Sequence, residues 1–173
     1  EHTFMLTEPY VEYLLSKNGF RLLERDYFMD DHSIFYAYTR DESIVPSHLP
    51  SNLYNYNKKL YLEYIEYHVQ LTEDLNARIS DLSLSKKVFL FGAHVFSQYL
   101  IGFGLDTSRI ECLLDNDPNK QGRRLCGSHL IVASPQILSD VENPIVILKA
   151  GVYNNEIKDD ILSNINPSVV FLD

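Results

Sequence analysis

Positive charge is scarce in this sequence: Lys and Arg together number 15, against 24 Asp and Glu, and the formal net charge is −9. Proteins that bind nucleic acid neutralise phosphates with clustered Lys and Arg, so this balance argues against a nucleic-acid partner. Basic side chains cluster only within residues 120–124, a patch too small for the footprint of a duplex.

Cysteine is also rare, and the chain has only Cys112 and Cys126. Two thiols cannot complete a tetrahedral zinc site, and no His lies at metal-motif spacing from them, so we expect no metal site. We expect no signal peptide, and two thiols would then fit a reducing compartment. We therefore expect a cytoplasmic protein, while the spacing of the two residues leaves a disulfide open.

Long apolar runs are missing as well. None approaches the roughly 20 residues that a helix needs to cross a bilayer, so we expect no membrane association. The remaining composition, 45% hydrophobic and 23% charged, is typical of a chain that buries a core. The sequence begins at Glu1 rather than Met, which suggests a piece of a longer polypeptide.

Residues 1–40 carry the pattern of one helix and two strands. An apolar helical repeat begins after Thr7, the predicted N-cap, and ends at Gly19, the predicted C-terminal stop. Residues 20–28 and 34–39 have strand composition, and the polar residues 30–33 between them predict a turn. These elements bury too little surface for a whole protein, so we interpret them as the C-terminal remnant of an α/β domain.

Residues 41–85 predict a linker followed by a connecting helix. Pro and Ser are frequent in residues 41–53, and a long helix is predicted from Tyr54 to about Ile79. Its apolar face is predicted to comprise Leu60, Tyr64, Tyr67, Leu71 and Leu75. We favour a helix that packs on its own domain over a coiled coil that forms a dimer.

Residues 86–173 predict an α/β domain with a Rossmann-like, doubly wound parallel sheet. Short apolar runs alternate with helical segments, and such alternation gives parallel strands. The predicted strands are residues 88–91, 110–115, 145–148 and 169–172, with a short segment at 129–132. Helices are predicted from His94, Pro135 and Asn154.

The turn after the first of these strands is an incomplete dinucleotide fingerprint. Gly92 begins it, but His94 and Ser97 stand where further glycines are needed for a pyrophosphate to approach the backbone. NAD binding, and with it a dehydrogenase, is therefore disfavoured, although a helix N-terminus attracts anions. His94 has two interpretations, as a ligand-binding residue or as a structural one.

Asp115 ends the second strand and lies 23 residues after Gly92. In Rossmann domains an acidic residue roughly 20 residues after the glycine turn accepts hydrogen bonds from the ribose hydroxyls. The alternative is that Asp115, Asn116 and Asp117 only cap an exposed turn. Lys120 and the Arg123–Arg124 pair have the charge to hold a diphosphate, and the alternative is that these are surface charges without a specific role. We expect Asp115 to lie beside Gly92 at the rim of a shared pocket, because the carboxyl ends of parallel strands meet at one edge.

Four stretches of the sequence resemble the C-terminal domain of S-adenosylmethionine-dependent C-methyltransferases that act on nucleotide-linked sugars. They are the Gly92–Ala93 turn, the loop 115–123 (Asp-Asn-Asp-Pro-Asn-Lys-Gln-Gly-Arg), Cys126–Gly127, and residues 153–157 (Tyr-Asn-Asn-Glu-Ile). The family pattern is a Gly-Ala turn, Asp-x-x-Pro-x-Lys-Gln-Gly-Arg, Pro-Gly-Thr and Trp-Asn-x-x-x-Glu-Ile. Residues 1–40 resemble the end of the family's methyltransferase domain.

This resemblance implies a parent enzyme with a zinc-binding N-terminal part, a cofactor domain and this C-terminal domain. The parent would bind S-adenosylmethionine, which the present chain alone is not expected to bind, and the partners would be a nucleotide-linked sugar and the missing methyltransferase domain in cis. It also implies catalytic roles for His2, as the base, and Glu1, which positions it. The candidate substrate-binding residues are Gly92, His94, Asp115, Asn116, Lys120, Arg123 and Asn154.

The chain departs from the family pattern at several of these positions. Tyr153 replaces Trp, Cys126 replaces Pro, and residues 94–96 replace small residues at the turn. These departures leave the sugar and the methylated position open. The competing interpretation is a Rossmann-like module that binds nucleotide sugars, or interacts with another protein, without catalysis.

Overall fold

The computed structural model describes residues 6–29, 33–82 and 85–173. It divides into two units, Glu1–Leu62 and Glu63–Asp173. The boundary falls inside a long helix, α2. Among the described residues, no helix is both long enough and apolar enough to cross a membrane.

The first unit contains a helix and an antiparallel hairpin, as the sequence predicts. They are α1 (Glu8–Lys17), β1 (Phe20–Phe28) and β2 (Ser33–Arg40). The helix ends before Gly19, whose φ of 78° only glycine adopts readily. The hairpin pairs Phe20 with Arg40. Most of the predicted turn, residues 30–32, lies outside the described residues.

The long helix α2 (Leu53–Leu82) follows a linker without helix or strand. In the second unit its buried side chains are Thr72, Leu75 and Ile79, and Leu75 and Ile79 join the core beside the sheet. The predicted face is correct there and wrong farther toward the N-terminus, where Tyr64 and Tyr67 are exposed. Tyrosine tolerates both environments, so its helical spacing does not by itself mark a buried face.

The second unit is a five-stranded, all-parallel sheet with strand order β5-β4-β3-β6-β7. Its elements are β3 (Val88–Phe91), α3 (Val95–Gly102), β4 (Ile110–Leu114), β5 (Val132–Ala133), β6 (Ile145–Leu148), α4 (Asn154–Asn164) and β7 (Val170–Leu172). The chain moves outward from β3 and then crosses back to β6. The strand order therefore reverses between β3 and β6, and ligands of such sheets bind at the carboxyl ends of strands beside this reversal.

Two predicted elements of this unit differ in detail. The helix predicted from Pro135 is a 3₁₀ helix, Pro135–Asp140. The Ser134 side chain caps the N-terminus of this helix, and the helix ends after six residues. Such a short length is typical of 3₁₀ helices. The strand predicted at 129–132 is β5, and it begins only at Val132 because pairing with β4 is confined to Leu113 and Leu114.

Apolar side chains cover both faces of the sheet, which explains why its strands have uninterrupted apolar sequences. Leu90 and Ile147 point to the face covered by α2 and α3. Phe91 and Leu148 point to the other face, where Ile161 of α4 packs. The two helical layers therefore cover both faces of the sheet, and its carboxyl edge is formed by loops.

Replacing Leu90 by Ala tests this packing, because Leu90 has 0% of its surface exposed. We expect the free energy of unfolding of the second unit to fall by about 2–5 kcal/mol, measured by urea denaturation with circular dichroism. Ile131→Ala is the control, since Ile131 is 48% exposed, and its expected effect is about 0.5 kcal/mol. Equal effects of the two substitutions would contradict the described core.

Candidate functional site

Gly92 directly follows β3, and the side chain of His94 lies so close to it that a larger residue would clash. Its φ is 98°, and a Cβ atom built there would lie 2.3 Å from Nε2 of His94. Its N–H donates to the carbonyl of Leu114, 2.7 Å away, at the end of β4. The turn therefore needs glycine because an imidazole, rather than a ligand, lies over its Cα.

His94 is the N-cap of α3. Its Nδ1 accepts a hydrogen bond from the N–H of Phe96 at 3.2 Å, so the proton of the neutral ring is on Nε2. Burial lowers the pKa of His94, the Lys120 charge lowers it further, and Asp115 opposes the shift. This geometry favours the structural interpretation of His94, and contact with a ligand stays a prediction.

Ser97 occupies the position of the third fingerprint glycine, which normally allows close packing of helix on strand. Its hydroxyl is buried and donates to the carbonyl of Gly92 at 2.5 Å. A small side chain that satisfies its own hydrogen bond therefore substitutes for glycine here without separating α3 from β3.

Asp115 is enclosed by hydrogen-bond donors directly after β4. Its Oδ2 accepts from the N–H of Ala93 at 2.8 Å and from Nζ of Lys120 at 2.9 Å, and its Oδ1 accepts from the N–H of Asp117 at 2.9 Å. The expected proximity to Gly92 is confirmed. The expected open rim is not, because Asp115 is only 7% exposed and its carboxylate connects the ends of two strands.

The same contacts determine the charge of Asp115. Burial alone would raise its pKa, but the N–H of Asp117, the ammonium of Lys120 and the N–H of Ala93 outweigh burial and lower the pKa below its ordinary value. The carboxylate is therefore ionised at neutral pH and forms an ion pair with Lys120. Of the two interpretations of Asp115, capping the turn is the one that its contacts favour.

The other candidate residues spread over three places. Asn116 lines an acidic cleft beside α4 with Glu156 and Asp160. Arg123 is exposed in the loop before β5, and its carbonyl accepts from Val132. Asn154 begins α4 and accepts from the N–H of Ala150 at 2.8 Å. Glu1 and His2 lie outside the described residues.

A cleft of about 200 Å³ at the carboxyl end of β6 was not predicted from the sequence. Its lining includes Tyr67, His68, Phe96, Tyr99, Lys149 and Asn154. Burial lowers the pKa of Lys149, Asp173 opposes the shift, and Arg78 and Lys158 lower the pKa further. The available signal was a lysine directly after the buried run Ile145–Leu148, at the strand end where ligands bind.

In the part of the chain that the structure describes, no group of three or more His, Cys, Asp or Glu side chains is arranged so that it could hold a metal ion. Both cysteines are free. Burial raises the pKa of Cys112 to about 11, so its thiol stays protonated and is a poor nucleophile at neutral pH.

Comparison with protein families matches residues 52–165 to the C-methyltransferase C-terminal domain. The chain belongs to this family. The match includes the loop 115–123 and residues 153–157, on which the resemblance was based. No match is found among curated proteins. The family assignment does not extend to the nucleotide-linked sugar.

A C-methyltransferase C-terminal domain implies S-adenosylmethionine as the methyl donor of the parent enzyme. The Gly92 turn does not fit the adenosyl part of that cofactor. The His94 imidazole covers Gly92, and the carboxylate that would accept ribose hydroxyls is already hydrogen-bonded to three donors. The described residues therefore have no step to perform on the cofactor at this turn.

Replacing Asp115 by Asn tests the carboxylate connection. Asn keeps one acceptor oxygen but turns an amino group toward the donors, so we expect a loss of about 1–3 kcal/mol in unfolding free energy at pH 7. Because the folded-state pKa is lowered, this contribution is complete above about pH 4 and disappears as pH falls through the folded-state value. Urea denaturation at several pH values measures both effects.

The control for Asp115 is Asp117→Asn in the same loop. Asp117 accepts from the N–H of Asn119, and an amide oxygen can still do so. We expect a change of about 0.5 kcal/mol or less. Equal losses at the two positions, or a loss at Asp115 that persists unchanged in acid, would contradict the connection.

The environment of His94 predicts a titration below the ordinary value of about 6.5. Lys120→Gln removes one of the charges that lower the pKa, so we expect the pKa of His94 to rise in this variant. Proton NMR titration of the imidazole measures both values. A wild-type pKa at or above the ordinary value would show that His94 does not cover Gly92 as described.

Proposed function

We propose that the chain is the C-terminal portion of an S-adenosylmethionine-dependent enzyme that C-methylates a keto-sugar nucleotide. In this proposal the domain contributes to binding the sugar nucleotide. The observation that carries it is the coincidence of the C-methyltransferase family with a cleft at the carboxyl edge of the sheet, beside the strand-order reversal. This is the place where folds of this class bind ligands.

Methylation of carbon requires a carbanion, so a proton next to the sugar ketone must be removed and the enolate oxygen stabilised. S-adenosylmethionine supplies an electrophilic methyl group. We assign proton removal to His2 and its positioning to Glu1, on the resemblance alone. The described residues have the supporting task of holding the nucleotide so that the sugar carbon faces the base.

The hairpin of the first unit supports a methyltransferase domain as its partner in cis. Leu23, Phe28 and Phe35 are exposed on its strands. On the strand β1, Arg25 forms ion pairs with Glu8 and Glu12 of α1. An antiparallel sheet normally covers one apolar face, and the remainder of a methyltransferase domain would cover this one.

The partners and compartment follow the same proposal. The net charge of −9 supports a small-molecule substrate over nucleic acid. The free thiols of Cys112 and Cys126 support a reducing cytoplasm.

A non-catalytic module that binds nucleotide sugars is the second candidate. It is favoured by the hydrogen bonding of His94 and Asp115, because both side chains are engaged in holding the turn. The two candidates differ in one respect that experiment can separate: only the first requires methyl transfer in the polypeptide that carries this chain.

The test measures methyl transfer by the polypeptide that carries this chain. The methyl donor is S-adenosylmethionine labelled in its methyl group, and the acceptors are a panel of keto-sugar nucleotides. We expect label on a sugar carbon, and His2→Asn should lower kcat by about 100-fold or more, the usual contribution of a general base. His48→Asn is the control, since His48 is exposed in the linker. Nucleotide-sugar binding without methyl transfer would favour the module.

A further inference from the structure

A second cleft lies at the amino edge of the sheet, opposite the edge to which the sugar nucleotide is assigned. We call it the amino-edge cleft, and it is lined by Ile101, Thr107, Arg124, Gly127, Ser128 and His129. These residues come from the end of α3, the turn before β4 and the loop before β5. Its volume of about 400 Å³ is within the roughly 300–1,000 Å³ of small-molecule pockets, so it has room for a sugar-sized molecule.

The loop that supplies most of this lining is anchored in the fold. Leu125 and Leu130 are buried in the core beside the sheet, and the N–H of Leu125 donates to the carbonyl of Leu130 at 3.2 Å. The N–H of Ser128 donates to the carbonyl of Leu125 at 3.1 Å. The side-chain amide of Gln98 on α3 donates to the carbonyl of Cys126 at 3.4 Å. Buried side chains and hydrogen bonds therefore connect the loop to the sheet and to α3.

Each polar side chain of the amino-edge cleft can donate a hydrogen bond. Arg124 has five N–H donors and no acceptor, and His129 has at least one ring N–H. The Oγ of Ser128 accepts from the N–H of Leu130 at 3.1 Å, so the hydroxyl proton of Ser128 can still be donated. Thr107 adds a second hydroxyl. None of the described residues that line the cleft is acidic.

The positive charge of Arg124 is not neutralised by an ion pair. Among the described residues, no Asp or Glu forms an ion pair with Arg124, whereas Lys120 of the same basic cluster is paired with Asp115. The acid next in sequence to the lining is Asp106, which accepts with its Oδ1 from the N–H of Ser108 at 2.9 Å. An unpaired guanidinium in a chain with a net charge of −9 makes this cleft a local site of attraction for anions.

We propose that the amino-edge cleft binds the phosphate group of a small molecule, with Arg124 and His129 donating to the phosphate oxygens. Phosphate oxygens point in tetrahedral directions and can accept from several donors at once, and a planar guanidinium binds two of them together. A carboxylate has only two oxygens and would leave some of these donors without an acceptor. The site is separate from the proposed function, which assigns the sugar nucleotide to the opposite edge of the sheet.

The experiment titrates the isotope-labelled chain, at constant ionic strength, with inorganic phosphate, ribose 5-phosphate, acetate and ribose. It follows amide, arginine side-chain and imidazole NMR signals. We expect both phosphates to shift the signals of Arg124, Ser128 and His129, and acetate and ribose to leave them nearly unchanged. Tighter binding of ribose 5-phosphate identifies the ligand as a phosphate monoester, and equal or tighter binding of inorganic phosphate identifies it as free phosphate.

Two substitutions distinguish a specific site from attraction to one exposed charge. Arg124→Gln removes a charge-assisted hydrogen bond and should weaken both phosphates about tenfold. His129→Leu removes a second donor and should weaken them about fivefold. The control is Lys87→Gln, which removes a positive charge at the same edge but outside the cleft, since Lys87 is exposed directly before β3. It should leave both affinities unchanged.

Equal weakening by Arg124→Gln and Lys87→Gln would show only a general attraction to positive charge and would overturn the site. Unchanged affinity in His129→Leu, or phosphate-induced shifts confined to Gly92 and Lys120 at the carboxyl edge, would overturn it as well. Absence of binding by both phosphates would have the same consequence. The methyl-transfer assay decides the proposed function separately, because turnover does not depend on this cleft.

Discussion

The carboxylate of Asp115 is the constraint on which the carboxyl edge of the sheet depends. It accepts from Ala93 after β3, from Asp117 in its own loop, and from the ammonium of Lys120. These contacts hold two strand ends and one loop in a single arrangement. A charged group almost removed from water is costly unless donors replace its hydration, and here two backbone N–H groups and one ammonium do so.

Along the carboxyl edge, the residues that hold the fold together and the residues suited to binding a ligand lie in different places. At the β3–β4 end, His94 caps α3 and covers Gly92, so the groups that would bind a dinucleotide are occupied. At the β6 end, Lys149 lines a cleft together with aromatic side chains. This C-methyltransferase C-terminal domain therefore has a Rossmann-like sheet. Its features suited to a ligand lie after β6, on the other side of the strand-order reversal from the Gly92 turn.

The sequence predicted the sheet well because its signal is local. Uninterrupted apolar runs identify Val88–Phe91 and Ile145–Leu148 as buried strands, and parallel topology brings Gly92 beside Asp115. The burial of Asp115 was not predictable, since it depends on how the loop 116–122 folds back over the strand end. The cleft was missed because it joins Tyr67, Tyr99 and Lys149, which are far apart in sequence and meet only after α2 and α3 pack on one face.

The most direct test of the central claim is a crystal structure of the polypeptide that carries this chain, with a nucleoside diphosphate-linked sugar bound. Our account predicts that the ligand lies at the carboxyl edge of the sheet and that Asp115 still accepts hydrogen bonds from Ala93 and Lys120. A diphosphate bound at the amino edge, beside Arg124 and His129, would contradict it. Displacement of Lys120 from Asp115 by the ligand would contradict the structural role assigned to that carboxylate.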